Sequence, residues 1–413
     1  MNFIEEFIAR GFYHQATDLE ALKELTSTNK ISAYIGFDPT APSLHIGSLM
    51  QIMILRLLQK HGHRPIAIVG GGTVKVGDPS GKDEMRKILS EEDVATNISG
   101  IKATLAKFIN FDDNSNGALL LNNDLWLKDL NYIDYLRDYG RHFSINRMLK
   151  FDSVKLRLER EQNLSFLEFN YMLLQAYDFV ELNLRYQCKL QLGGSDQWGN
   201  IISGVELNRR LGNSEVFGLT SPLITTASGA KMGKTANGAV WLSEEALSAY
   251  DYYQFWRNND DRDVIKFLKI FTDLSLSEID EYSKYEGNQI NEVKKILAFE
   301  ATKLCHGTKL AEQASVLAIK MFEEKTLSDD LPTIAISKND LDKGIAAYLI
   351  FQQAGLTSSG GEARRLIRGN GAKINDENVL DENLLVNSLF CNEDGVIKLT
   401  AGKKKHALVK LVK

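Results

Sequence analysis

Cysteine is scarce in this chain, and its three copies, Cys188, Cys305 and Cys391, stand far apart. No paired zinc-ligand spacing and no even disulfide set can be made from them, so a disulfide-stapled secreted fold is excluded and three reduced, structural thiols are expected. Long apolar runs are missing too: no stretch of about 18 residues suits a membrane span. The opening MNFIEEFIARGF carries acids where a secretory leader would be basic, and a cytoplasmic protein is expected. Internal repeats and low-complexity tracts are also absent. What remains is a chain of 413 residues, 44% hydrophobic and 25% charged, with the length for two or three ordinary globular domains.

The net charge of −5 is unevenly spread. Residues 344–413 hold ten Lys/Arg against seven Asp/Glu, a net of +3, which leaves −8 on the rest. A small basic C-terminal unit on an acidic body suggests a polyanionic partner, although such charge is more often a solvated surface.

Hydrophobic patterning divides the chain further. ISAYIGFD reads as a buried strand, LHIGSLMQIMILRLLQKHG as a helix closed by Gly62, and RPIAIVGGG as a second strand ending in glycines. SFLEFNYMLLQAYDFVELNLRY is helical, and CKLQLGG is a further strand. This alternation predicts an α/β fold with a parallel, Rossmann-like sheet over 1–245, ligands binding at the carboxyl ends of its strands. From 246 to 325 helical patterns take over, as in RDVIKFLKIF. A polar linker around Pro332 is expected over 326–343, followed by a small α+β domain over 344–413.

The segment ASGAKMGKT ends in Gly-Lys-Thr but is not a P-loop: Ser228 stands where that loop needs glycine, and Gly229 is one step too close. Turn and strand patterns follow it rather than a helix, so it reads as a basic loop reaching toward polyphosphate. In YIGFDPTAPSLHIGSL, a strand, an Asp-Pro turn and a helix start bring His45 and Gly47 to an anion-binding helix N-terminus. A lone histidine there is more often a cap. Lys231 and Lys234, far away in sequence, raise the weight of the phosphate-binding reading.

HIGS with KMGKT is similar to the HIGH and KMSKS motifs of class I aminoacyl-tRNA synthetases. In order, YIGFDPTAPSLHIG, VGDPSGK, LLQAYDF, LGGSDQWGN and KMGKT resemble the bacterial-type tyrosyl branch of that class, from Tyr34 to the C-terminal end. Two departures stand out. Ser48 replaces the second histidine of HIGH and cannot carry charge, and Ile35 stands where some members have a ribose-contacting cysteine.

The resemblance implies activation of L-tyrosine by ATP, with Mg2+ accompanying ATP and neither a tightly bound cofactor nor a protein-held metal. Thr40, His45, Lys82, Arg86, Lys231, Lys234 and Thr235 would stabilise the phosphates. Tyr34, Asp78, Tyr171, Gln175, Asp178 and Gln197 would hold tyrosine, with Tyr34 and Asp178 at its phenol. Gly36, Asp38, Gly47, Ser48, Gly193 and Asp196 would complete the ATP side. The spacing of Tyr171, Gln175 and Asp178 places all three on one helix face. Tyr171 alone would be read as core; a glutamine and an aspartate beside it are harder to dismiss as packing.

At the C-terminus, SSGGEARRLIRGNGAKIN places Arg364, Arg365 and Arg368 on one helix before Lys373, and GKKKHALVKL adds Lys403, Lys404 and Lys405. This segment resembles the S4-type RNA-binding module, which implies contacts to tRNA(Tyr) phosphates. A homodimer is implied by the family. A tryptophan-specific class I enzyme, a non-catalytic RNA-binding homologue and a small-cofactor nucleotidyltransferase remain open as alternatives.

Overall fold

The computed structural model describes residues 1–80, 89–112, 115–229, 232–235, 238–326, 332–375, 377–392, 395–402 and 405–412. The chain divides into two compact units, Met1–Ser315 and Val316–Lys413.

The first unit is built on six strands: β1 (Gln15–Ala16), β2 (Ser32–Phe37), β3 (Arg64–Val69), β4 (Leu119–Asn122), β5 (Cys188–Gly194) and β6 (Phe217–Ser221), in the spatial order β1-β6-β5-β2-β3-β4. The pairs from β6 to β4 are all parallel, and only β1 runs antiparallel, against β6. β2, β3 and β4 step outward in one direction, after which the chain returns to set β5 on the other side of β2. The carboxyl ends of β2 and β5 therefore form a topological switch point, where open α/β sheets bind ligands.

The expected elements are present with small differences. The helix after β2 spans Ile46–Lys60, and the chain leaves it through Gly62 at φ +81°. The long apolar-periodic stretch is broken at Asn170 into Phe166–Phe169 and Tyr171–Tyr186. The latter helix ends at Gln187, whose left-handed φ of 53° turns the chain into β5. After β6, β7 (Lys234–Thr235) and β8 (Gly238–Ala239) pair as an antiparallel hairpin. Lys234 and Thr235, the end of KMGKT, thus enter a strand pair rather than a helix, as the residues that follow them suggest.

Helices dominate from Ala249 to Thr326. Tyr252, Trp256, Phe267 and Phe271 make a buried aromatic cluster there. Arg56, from the helix Ile46–Lys60, is paired with Asp273, and Arg10 donates to the carbonyls of Lys269 and Leu274 at 3.0 Å each. These bonds join the helical layer to the sheet layer within one unit.

The second unit holds β9 (Thr333–Ser337), β10 (Ile345–Ala346), β11 (Ala372–Ile374), β12 (Glu377–Asn378), β13 (Leu385–Val386), β14 (Val396–Ala401) and β15 (Lys405–Val412). Five of them form a sheet in the order β12-β11-β14-β15-β9, and β10 pairs with β13. One sheet face packs Ile374, Ile397, Leu399 and Val409 against Ile350, Phe351, Ala363 and Ile367 of two helices. The span expected to be a linker is partly structured: β9 runs parallel to β15, and Lys338–Asp342 is helical. Its alternating Ile334 and Ile336 pack on the core, a short period-two signal outweighed in the sequence by the polar residues around it.

Candidate active site

The turn after β2 must hold an open, irregular path toward the helix Ile46–Lys60, and another helix supports it. Asn97 of helix Glu91–Leu105 donates to the Pro39 carbonyl at 2.9 Å. At Gly100 any Cβ would lie 1.7 Å from the Pro42 carbonyl oxygen, so glycine there permits the close approach. The turn delivers His45 as N-cap, its Nδ1 accepting the Gly47 N–H at 2.9 Å. With Nδ1 used as acceptor, the ring proton belongs on Nε2, which is suited to donate to an anion.

The KMGKT end reaches this same helix start. Ile46 N–H donates to the Val240 carbonyl at 2.8 Å, and His45 bridges Trp241, whose ring stands edge-on to the imidazole at 6.0 Å. Lys234 and Thr235 are described through their backbone pairing with Ala239 and Gly238. Lys82, Arg86 and Lys231 lie outside the described residues.

Below the helix start, at the switch point of the sheet, opens a cleft of about 410 Å³. Fourteen of the residues expected in the site line it: Tyr34, Gly36, Asp38, Thr40, His45, Gly47, Ser48, Asp78, Tyr171, Gln175, Asp178, Gly193, Asp196 and Gln197. They come from four separate stretches of chain, so their meeting is a property of the fold and not of any one motif.

Two polar networks divide this lining. In the first, Gln197 Nε2 donates to Asp78 at 2.8 Å, Gln175 Nε2 donates to Gln197 Oε1 at 3.3 Å, and Asn200 Nδ2 donates to Gln175 Oε1 at 3.0 Å. Carboxylate and amide oxygens gathered in this way suit an ammonium group. The Tyr171 hydroxyl donates to Asp38 at 3.2 Å, and Thr73 Oγ1 donates to the same carboxylate at 3.3 Å.

The second network lies deeper. Asp178 is 4% exposed, and its carboxylate accepts from Trp126 Nε1 at 2.7 Å and Asn123 Nδ2 at 3.0 Å. Burial pushes its pKa up to about 7; those two donors oppose the shift, while the charges of Asp38 and Glu181 add to it. The Tyr34 hydroxyl, in a residue 2% exposed, has no hydrogen-bond partner among the described residues. Burial and the nearby Asp178 charge hold that phenol neutral, its pKa raised well above the ordinary value. A buried hydroxyl without a partner is costly, by about 1–3 kcal/mol, and it is relieved when a ligand supplies the missing bond.

Sequence reasoning missed Thr73, Asn123, Trp126, Gln191 and Trp241. Asn123 and Trp126 follow β4, whose end was marked only by the change from apolar LLL to polar NND. Gln191 is 2% exposed in β5, pairs in register with Tyr34, and leaves its Oε1 unpartnered among the described residues at the lining of the cleft.

In the second unit, Arg364, Arg365 and Arg368 share the helix Gly360–Arg368 as expected, but their surroundings differ. Arg368 makes a two-pronged pair with Glu382 at 2.7 and 2.9 Å. Arg364 stands 3.8 Å from the centre of the Tyr348 ring and 3.8 Å from Glu382. Lys373 is exposed on β11 and Lys405 on β15, whereas Lys403 and Lys404 lie outside the described residues.

The model for class I tRNA synthetases (W and Y) matches residues 26–323. The chain is 59% identical over 411 residues to the tyrosine–tRNA ligases of Rickettsia conorii and Rickettsia bellii, covering 100% of both chains in each case. Among solved structures, a C-terminally truncated mitochondrial tyrosyl-tRNA synthetase of Aspergillus nidulans matches with a TM-score of 0.69 and 30% identity, over 78% of this chain and 94% of that one. A tryptophanyl-tRNA synthetase of Plasmodium falciparum, at 15% identity, 79% and 86% coverage and a TM-score of 0.52, shares the fold.

Proposed function

The chain belongs to the class I tRNA synthetases of the tryptophan and tyrosine kind, and from that premise we propose that it is a tyrosine–tRNA ligase. It joins L-tyrosine to ATP as tyrosyl-adenylate with release of pyrophosphate, then passes tyrosine to the 3′ end of tRNA(Tyr). The observation that carries the choice of amino acid is the pairing of an unpartnered Tyr34 hydroxyl with the donor-held Asp178 carboxylate at the floor of the cleft. Such a floor suits a phenol, which both donates and accepts. An indole can only donate, and phenylalanine would leave the Tyr34 hydroxyl unpaired and offer Asp178 no donor, a loss that supports discrimination of roughly 10⁴–10⁵.

In the first step a tyrosine carboxylate oxygen attacks the α-phosphorus, and the bond from that phosphorus to the bridging oxygen breaks as pyrophosphate leaves. The nucleophile is already ionised at neutral pH, so no protein base is needed and catalysis is positioning with charge stabilisation. Asp78, Tyr171, Gln175 and Gln197 orient the ammonium and carboxylate ends. His45 Nε2 and the amides beginning the helix Ile46–Lys60 face the nucleotide, with Gly36, Asp38, Ser48, Gly193 and Asp196 along its remaining path. Thr40, Lys82, Arg86, Lys231, Lys234 and Thr235 are assigned to the leaving phosphates. Mg2+ enters on the ATP phosphates as part of the substrate. In the second step a hydroxyl of the terminal ribose attacks the adenylate carbonyl, and AMP leaves.

The chain acts in the cytoplasm as a homodimer. Large apolar side chains left exposed between Leu125 and Leu167, among them Tyr132, Ile133, Ile145 and Phe166, support a self-association surface. No helix among the described residues is long and apolar enough to cross a membrane. The unit Val316–Lys413 is the tRNA-binding module. Tyrosine-dependent exchange of labelled pyrophosphate into ATP tests the assignment: exchange with tryptophan instead would make it a tryptophan enzyme, and exchange with no amino acid would leave an RNA-binding homologue.

A further inference from the structure

We infer that RNA phosphate is gripped in the second unit by one cleft built from Arg365, Lys405 and Thr357, and that Arg364 and Arg368 serve the fold instead. This rests on reading that unit as the tRNA-binding module. Three observations separate the cations of this small domain, which their sequence positions alone would group together.

The first is the competition for charge along the helix Gly360–Arg368. Glu382 takes Arg368 in a two-pronged pair and draws Arg364, which is also stacked on Tyr348. The Arg368 guanidinium has its forked donors committed in this way, whereas Arg364 is held by its ring contact, its Nε buried without a hydrogen-bond partner among the described residues. Arg365, between them in sequence, is exposed and lines a different surface cleft.

The second is strand alternation. Across β11, β14 and β15, Ala372, Ala401 and Lys405 are opposite one another and share one face, whereas Lys373, Thr400 and His406 share the other. Lys405 therefore ends the face that packs on the helices, beside Arg365, and Lys373 is on the far side of the sheet.

The third is the space between them. A surface cleft of about 410 Å³ is lined by Leu356, Thr357, Glu362, Arg365, Gly402 and Lys405, among others. Thr357 is 8% exposed, and its hydroxyl has no hydrogen-bond partner among the described residues. Two cations, an unsatisfied hydroxyl and a glycine that lets a ligand approach the turn make a site for a phosphodiester group. Glu362 opposes such a group, but its carboxylate is turned onto the backbone N–H and hydroxyl of Ser358.

The test measures binding of a transcribed tRNA(Tyr) to the full-length protein across a salt series. Arg365→Gln and Lys405→Gln should each weaken binding and reduce the slope of log K against log salt by about 0.7–0.9, the signature of one lost phosphate contact. Thr357→Val should weaken binding with the slope kept, and Thr357→Ser should restore it. Arg368→Gln and Lys373→Gln should leave the slope as it was, the former with a lower unfolding midpoint. A slope reduced by Arg368→Gln and unmoved by Arg365→Gln would overturn the cleft. Failure of the module itself reads differently: a protein with Arg364, Arg365, Arg368, Lys373 and Lys405 all changed to Gln would then bind as tightly as the unaltered chain.

Discussion

Gly233 lies against the backbone of Gly47: a methyl group built on Gly233 would stand 3.1 Å from the Gly47 nitrogen, and Gly233 itself has φ +118°. The two polyphosphate motifs, nearly two hundred residues apart in the chain, thus touch through a pair of glycines. A side chain on Gly233 would crowd the Gly47 backbone. On Gly47 a side chain would instead meet the His45 ring, 2.6 Å from Cε1 and 2.8 Å from Nδ1. Gly47→Ala should displace the imidazole and lower adenylate formation by roughly 10²–10³, with tyrosine affinity nearly unchanged. Gly233→Ala should act similarly, with backbone strain added. Single-turnover pyrophosphate release against tyrosine binding separates the effects, and an equal loss in both would show that these glycines support the whole cleft instead.

Tyr34→Phe should stabilise the free protein and weaken it as an enzyme. The hydroxyl removed is buried and without a partner, so its loss relieves about 1–3 kcal/mol of desolvation cost in the unliganded state. Selection of tyrosine over phenylalanine should fall roughly 10-fold, the value of one neutral hydrogen bond. Urea unfolding of the free protein and exchange rates with both amino acids check the two halves. A destabilised variant would mean that the hydroxyl has a partner in the resting protein.

Asp178 gives the site a pH dependence whose sign is fixed by burial. Its folded pKa, raised to about 7, exceeds the ordinary carboxyl value of 3.8, so between those values the folded chain holds more protons than the unfolded one. Its contribution to stability therefore declines as pH rises through that window. Tyrosine binding should move oppositely, because the ionised carboxylate is the better acceptor for a phenol: affinity should fall as pH drops below about 7. Asn123→Ala removes a donor that favours the ionised form, and should shift the midpoint of tyrosine binding upward. Asp178→Asn should abolish this dependence; a profile unchanged in that variant would assign the titration elsewhere.

Much of this site was legible because each of its stretches sits at a strand end. Apolar runs fix where β2 and β5 stop, and the polar residues just beyond, Asp38 or Asp196, must then face the switch point. Asn123 and Trp126 were not legible, since they act on Asp178 across 55 and 52 residues and have no motif of their own. The basic helix shows the opposite failure. Its three arginines have equal charge in the sequence, and only tertiary packing, through Glu382 and Tyr348, distinguishes them. The strand Thr333–Ser337 falls inside the linker expected over 326–343, because a two-residue period over five positions is weak evidence for a strand that finds its partner at β15.

Self-association should be coupled to tyrosine binding through one short segment. Phe166 is 71% exposed and Ile133 68%, values that a monomer has little reason to keep for such side chains. Phe166 opens the helix Phe166–Phe169, which Ser165 caps together with Glu168; Glu168 is also paired with Arg157 at 3.5 Å, both side chains nearly inaccessible. The next residue after that helix, Asn170, is the N-cap of the one that begins with Tyr171, whose hydroxyl reaches Asp38 in the cleft. A charge at position 166 would have to stay in water, which opposes the buried state of an interface by several kcal/mol. Phe166→Glu should therefore shift the protein to monomer in sedimentation velocity and weaken tyrosine binding at the same protein concentration. Ile133→Glu should also dissociate it, with a smaller effect on tyrosine because that residue lies outside the segment leading to Tyr171. Recovery of tyrosine affinity at high protein concentration would tie the loss to dissociation; a Phe166→Glu protein that stays dimeric would place the interface elsewhere.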